Sequence, residues 1–280
     1  MTEEMRKRIG ERIKAARKRK DLSQEKLAET LGLSFQAVSS WETGKFMPDS
    51  DHLPELAKVL DLSLDALFAE EKKDWDLGKM NFDPDHMFTF VKGRAQTGKM
   101  YRTLQVLDIL RKAHDGQDRD SLYGFRCDYI AHPLTLACHA LAMDLKDDEI
   151  IAACLAHDMI EDSKGRVKLS DLPEGRVREA VRLVSKNLYD PEDPDKNKHY
   201  YDAIRKDPMA CLVKCLDRVN NVAGMADGYT RSRMIHYIEE TNRYYPALLD
   251  VVKKVPEWNN AWWLLRYQLM TMTESYKRLL

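Results

Sequence analysis

Four short stretches of this 280-residue sequence gather side chains that ligate cations and move protons. They are Tyr129-Ile130-Ala131-His132-Pro133, then His157-Asp158, then Glu161-Asp162, and finally Lys214-Cys215-Leu216-Asp217-Arg218-Val219-Asn220-Asn221. On a helix, His157 and Glu161 stand four apart, as do Asp158 and Asp162, so all four crowd one side of its end. Three carboxylates beside an imidazole, behind the apolar Ile150-Ile151-Ala152-Ala153-Cys154-Leu155-Ala156 run, repel one another strongly if left uncompensated. A divalent cation resolves that conflict. The combination carries the weight. A lone histidine is more often surface or satisfied core than ligand, and His52, His86, His139, His199 and His236 sit in ordinary polar or helical settings. Asp217 by itself reads equally well as a salt-bridge partner of Arg218.

The elements that must position these residues are helices. Apolar residues recur at helical spacing over 100–114, 129–143, 147–159, 177–184, 209–222, 233–252 and 258–279. No stretch alternates with period two, so the fold class is all-α. The segment 69–85, rich in charge with Gly78 and Pro84, breaks the periodicity and predicts a linker between domains 1–68 and 86–280. Trp75 and Phe82 of that linker could dock on either neighbour.

In the first domain, Ile9, Ile13 and Ala16 recur on one helix face. Ser23 and Ser34 are placed to cap two further helices, and Gly32 fits the left-handed position between them. Val38 and Trp41 pack inward, and Leu53, Leu56, Ala57 and Leu60 mark a fourth helix. The run LSQEKLAETLGLSFQAVSSWETGKFMP resembles the Cro/phage-repressor (XRE) class of helix-turn-helix over about 60 residues. Such motifs lay their second helix in the major groove. The resemblance places Gln24, Phe35, Gln36 and Ser40 at reading positions, with Gln36 suited to an adenine edge. It places Lys45 and the arginines of the first helix on phosphates. Residues 1–20 hold nine Lys or Arg against three Glu. That excess is either a solvated helix face or a phosphate-contacting surface, and the motif favours the second. A bundle that only docks a protein partner is the alternative. A single small domain also implies a homodimer on two half-sites.

The ionisable stretches of the second domain resemble the HD superfamily, whose ligand set is a His, an adjacent His-Asp pair and a distant Asp. The resemblance implies metal ligation by His132, His157, Asp158 and Asp217. Within that superfamily the RelA/SpoT-type hydrolase is similar: HxGQxR is met by His114 to Arg119, YIxHP by Tyr129 to Pro133, HDxxED by His157 to Asp162, and KLADRLHN by KCLDRVNN. The similarity runs from about residue 100 to 250. It implies Mn²⁺ as cofactor, although two imidazoles and two carboxylates also suit Zn²⁺ or Fe²⁺. It implies that Glu161 and Asp162 position or deprotonate water, that Arg119 faces the base or phosphates, and that Asn221 faces the ribose. Lys214 would contact substrate or support the metal ligands. The expected reaction is removal of the 3′-pyrophosphate of (p)ppGpp. A phosphatase on another nucleotide such as NADPH, or a regulator that senses a nucleotide without turnover, are the alternatives.

Three departures leave the nucleotide open: Asp120 follows Arg119, about four extra residues precede Tyr129 so that Arg126 could supply the cation, and Val-Ala-Gly follows Asn221. About 60 residues follow Asn221, too few for a synthetase domain. The final helix, with Trp262, Trp263, Leu265, Tyr267, Leu269, Met270 and Met272, reads as core packing or as a dimer interface.

Composition excludes other classes. With 44% hydrophobic and 32% charged residues and a net charge of −1, the chain reads as an ordinary globular protein. No run approaches the roughly 20 apolar residues of a membrane span, and the charged N-terminus lacks a secretory core. Five cysteines with no CxxC pair predict reduced, mostly buried thiols in a cytoplasmic protein.

Overall fold

The computed structural model describes residues 3–62, 64–68, 83–113, 118–120, 126–128 and 130–280. The chain divides into two compact units. One takes Met1–Asp76, Asp120–Arg126 and Met225–His236; the other takes Leu77–Arg119, Cys127–Gly224 and Tyr237–Leu280.

In the first unit the helices are α1 (Glu3–Arg19), α2 (Gln24–Thr30), α3 (Phe35–Glu42), α4 (Leu53–Leu60) and α5 (Leu64–Phe68). The local signals act as expected. The Ser23 side chain accepts from the Lys26 N–H and Ser34 from the Ala37 N–H, each satisfying a donor orphaned at a helix start. Gly32, at φ +66°, lets the chain turn between α2 and α3. Ile9, Ile13, Leu27, Val38, Leu56 and Leu60 form the buried core. Helix α1 approaches α3 so closely that a Cβ at Gly10 would lie 2.3 Å from the Trp41 carbonyl oxygen. Beneath α3 the buried Arg17 guanidinium grips Glu42 through both oxygens, at 2.5 and 2.9 Å, and Gln24 Nε2 donates to the same carboxylate at 2.7 Å.

The second unit begins with α6 (Pro84–Thr97) and α7 (Tyr101–Ala113), followed by the short strands β1 (Asp118–Asp120) and β2 (Arg126–Asp128). Then come α8 (Ala131–Ala142), α9 (Asp148–Ala156), α10 (Met159–Asp162), α11 (Arg176–Val184) and α12 (Lys196–Ile204). The last three helices are α13 (Pro208–Gly228), α14 (Arg231–Val252) and α15 (Asn259–Leu279), of which the end of α13 from Met225 and the start of α14 to His236 are counted with the first unit. Helix α9 is the hub. Every residue from Ile150 to Ala156 is fully buried, which fits a helix that is apolar all round. It packs against α7, α8 and α11. The Asp148 carboxylate accepts from the Arg102 and Thr103 N–H groups at 3.0 and 2.8 Å, so the start of α9 caps the start of α7.

The all-α class holds, with three differences of detail. Strands β1 and β2 pair, but three residues are too short to display alternation. Helix α6 opens inside the segment read as linker, because Asp83 caps it and Pro84 suits its first turn. Helix α12, mostly polar, has too narrow an apolar stripe to stand out in sequence. Trp75, Phe82 and the remaining predicted linker residues to 82 lie outside the described residues. Cys138, Cys154, Cys211 and Cys215 are free, and burial pushes the Cys154 and Cys211 thiols up to about 12. No described helix is long and apolar enough to cross a membrane.

Candidate metal centre and helix-turn-helix

Three separated elements deliver four ligating atoms to one point. The first turn of α8 supplies His132, the end of α9 and the turn after it supply His157 and Asp158, and the middle of α13 supplies Asp217. His132 Nε2 lies 3.2 Å from His157 Nε2, 3.2 Å from Asp158 Oδ2 and 3.3 Å from Asp217 Oδ1. His157 Nε2 lies 2.9 Å from Asp158 Oδ2 and 3.6 Å from Asp217 Oδ1. All four ligand atoms fall within 4.8 Å of one another. A cation bonded at about 2.1 Å spaces adjacent ligands about 3.0 Å apart in an octahedron and about 3.4 Å in a tetrahedron. The edges given, from 2.9 to 3.6 Å, bracket those spacings, so these residues fit a divalent ion.

The outer nitrogens settle which face each ring offers. His157 Nδ1 lies 2.9 Å from the Cys154 carbonyl, which can only accept, so the proton sits on Nδ1 and Nε2 carries the lone pair. His132 Nδ1 likewise donates to Asn220 Oδ1 at 2.7 Å. Two lone pairs and two carboxylates therefore converge at a buried point, and they balance the charge of a divalent cation. Without one, protons must fill the role. Burial disfavours the charged imidazoles, yet Asp158 and Asp217 outweigh it, raising His132 and pushing His157 up to about 10. Burial likewise opposes ionised Asp158 and Asp217, but the imidazoles, and for Asp217 the Lys214 ammonium, hold both well below the usual carboxylate range.

A support shell surrounds Asp217. Lys214 Nζ donates to Asp217 Oδ2 at 2.9 Å, and Asn221 Nδ2 donates to Oδ1. Lys214, Asp217, Asn220 and Asn221 share one side of α13 by their three- and four-residue spacing. Lys214, expected on substrate or behind the metal ligands, and Asn221, expected at the ribose, both hold the Asp217 carboxylate. Asn220, which sequence reasoning left unassigned, holds His132. The spacing to Asp217 was the available signal. Arg218 points away from Asp217 and pairs with Glu240 at 2.5 Å, its guanidinium stacked 3.6 Å from the Tyr237 ring.

The expected single helix through Asp162 is broken at His157-Asp158, and α10 restarts at Met159. The His157 ring competes for the Cys154 carbonyl, which a continued helix would offer to the next turn. The break turns Asp158 toward the imidazoles. It sends Glu161 Oε1 to the Asn187 N–H at 3.1 Å, while the Asn187 amide donates to the Ile160 carbonyl. Burial raises the Glu161 pKa; Lys214 opposes this and Asp158 adds to it. Asp162 is half-buried on α10. Arg119 and Arg126 fall on β1 and β2, where only the backbone is described, and His114 to Gln117 and Tyr129 lie outside the described residues.

On the first unit, Phe35 and Gln36 open α3 and are exposed, as is Lys45 just beyond its end. Ser40 is half-buried and donates to the Ala37 carbonyl at 2.7 Å. Gln24 is half-buried, and one N–H of its amide donates to the buried Glu42 carboxylate at 2.7 Å, which leaves its second N–H and its oxygen for an outside partner.

Residues 13–67 match the family model described as Helix-turn-helix. Two Bacillus subtilis (strain 168) proteins are similar. An uncharacterized HTH-type transcriptional regulator, YqaE, is 36% identical over 115 residues, which is 40% of this chain and 99% of that protein. The SPbeta prophage-derived uncharacterized HTH-type transcriptional regulator YonR is 33% identical over 85 residues, 30% of this chain and 79% of that one. The chain belongs to the helix-turn-helix family. A third relative, the HTH-type transcriptional regulator PuuR of Escherichia coli (strain K12), is 39% identical over 64 residues, 23% of this chain and 35% of PuuR. The four-ligand cluster lies outside the helix-turn-helix match.

Proposed function

We propose that this chain joins a DNA-binding helix-turn-helix to an HD-type, metal-dependent nucleotide phosphohydrolase of the RelA/SpoT hydrolase kind. Convergence of His132, His157, Asp158 and Asp217 from three distant parts of the sequence, with both imidazoles fixed from behind, carries the reading. A stability role alone does not require two lone pairs and two carboxylates at one buried point. The preferred ion is Mn²⁺, which would supply positive charge to activate water and to polarise a phosphoryl oxygen.

The chain's own groups divide the remaining work. Glu161, its proton affinity raised by burial and Asp158, takes the proton from the attacking water. Asp162, one residue on, helps position that water. Lys214 and Asn221 keep Asp217 ionised and oriented. Arg119 is the candidate contact to base or phosphate. The substrate that fits the motif set is (p)ppGpp: water attacks the 3′-diphosphate of ppGpp, and GDP and pyrophosphate leave. For DNA, α3 presents Gln36 and Phe35 to base edges, and Lys45, just beyond its end, faces phosphate, in keeping with relatives that are named transcriptional regulators.

The test is incubation of Mn²⁺-loaded protein with ppGpp, followed by chromatography for GDP and pyrophosphate. Release by the native chain and its loss in Asp158→Ala support the reading. A folded, metallated chain that releases nothing from ppGpp overturns the substrate, and activity on NADPH in a nucleotide panel would redirect it. The family membership favours one second reading, a regulator whose HD domain senses a nucleotide without turnover. It predicts ligand-dependent DNA affinity with no product formed.

A further inference from the structure

Helix α15 is two-faced. Ala261, Leu265, Leu269 and Thr273 are buried along one side. On the opposite side Trp263, Tyr267 and Met270 are 56%, 51% and 53% exposed, an apolar stripe at helical spacing. Trp263 and Tyr267 are stacked on each other, with ring centroids 5.5 Å apart. Exposed aromatic and methionine side chains in a contiguous stripe mark an interaction surface. Arg266, Glu274 and Lys277 border it and are exposed.

We propose that this stripe pairs with the same stripe of a second copy, as an antiparallel helix pair whose two-fold axis passes beside Met270. The charge pattern selects both occupant and register. About an axis at 270, Arg266 of one copy faces Glu274 of the other, twice by symmetry, and Trp263 faces Lys277. An axis shifted two residues toward the C-terminus faces Arg266 with Arg278 and loses the complementarity. An axis near 275 pairs Glu274 with Lys277 but carries Trp263 and Tyr267 past the end of the partner helix at Leu279. Only the register at 270 buries the aromatics and matches the charges together. The Glu274–Lys277 pair within one copy is an exposed i, i+3 contact, which exchanges at little cost. A two-fold dimer also suits a helix-turn-helix, whose operators carry two half-sites.

The experiment is sedimentation equilibrium of the full chain with a charge-swap series. The native chain is expected to be a dimer. Arg266→Glu sets like charges against Glu274 at two symmetric places and weakens dimerisation at least about tenfold, and Arg266→Glu with Glu274→Arg restores it. Met270→Lys places two ammonium groups on the axis and gives monomer. Circular dichroism and the Mn²⁺ affinity, whose ligands are elsewhere, should be unchanged in every variant. A monomeric native chain, a dimer indifferent to both Arg266→Glu and Met270→Lys, or a single swap that the double swap does not rescue overturns the proposal. So does recovery of a monomer whose stripe binds a different protein.

Discussion

Replacing Asn220 with alanine isolates the link between α13 and the candidate metal centre. Its Oδ1 accepts the His132 Nδ1 proton at 2.7 Å, and that imidazole is only 5% exposed. Asn220→Ala leaves a buried N–H without its acceptor, a loss of about 1–3 kcal/mol. At 1.4 kcal/mol per decade this is about 5- to 150-fold in an equilibrium constant. Freed from its anchor, the ring can rotate or exchange tautomers, so the loss falls on metal binding rather than on packing. Removing an outer partner of a ligating histidine typically costs about 10- to 100-fold in metal affinity. The expected result is therefore a Mn²⁺ dissociation constant raised about 10- to 100-fold in the same sense. It is measured on the full chain by competition with a fluorescent chelator at fixed pH. Asn220→Asp, which keeps the acceptor, should stay close to the native affinity. If Asn220→Ala binds Mn²⁺ as well as the native chain while Asp158→Ala does not bind it, the assigned role of α13 is wrong.

Three further predictions rest on other contacts. Because the Glu161 pKa is raised above its ordinary 4.5, the stability contributed by its protonated form is complete below that value and lost as pH rises through the folded pKa. Thermal melts in EDTA should thus show Glu161→Gln gaining on the native chain as pH increases from about 4.5, and a constant difference would refute it. Glu42→Ala strands the buried Arg17 guanidinium and should destabilise the first unit by about 3–5 kcal/mol in urea unfolding, whereas a loss under 1 kcal/mol would make the pair incidental. On a selected operator, Gln36→Ala should lose about 1–3 kcal/mol of discrimination at one base pair, while Lys45→Ala should weaken all sequences alike and reduce the salt slope by about one. Equal effects of the two changes would contradict their division into reader and clamp.

Much of this was legible because the controlling signals are local or strongly patterned. Ser23, Gly32 and Ser34 specify their turns through contacts within a few residues, so the helix-turn-helix could be read directly. His132, His157, Asp158 and Asp217 could be grouped in sequence only through the resemblance to a known ligand set, and the fold brings the four to one point. The support shell was hidden by distance. Asn220 and His132 are 88 residues apart, and Asn187 lies 26 residues from Glu161, so neither pairing leaves a periodic trace. Lys214 and Asn221 carry side chains that suit a phosphate or a ribose equally well. Only the fold shows that Asp217 takes them. The break at His157-Asp158 escaped because its cause, a ring bonding back to Cys154, competes with a helix that the residue pattern otherwise supports.

The proposed site holds one divalent cation between His132, His157, Asp158 and Asp217. Mn²⁺ titration followed by electron paramagnetic resonance counts bound ions directly, since free Mn²⁺ gives a sharp signal that binding broadens. One tightly bound ion per native chain is expected, and none in Asp158→Ala or in His157→Ala with the fold preserved. No bound ion in the native chain, or the same stoichiometry in the variants, would contradict it.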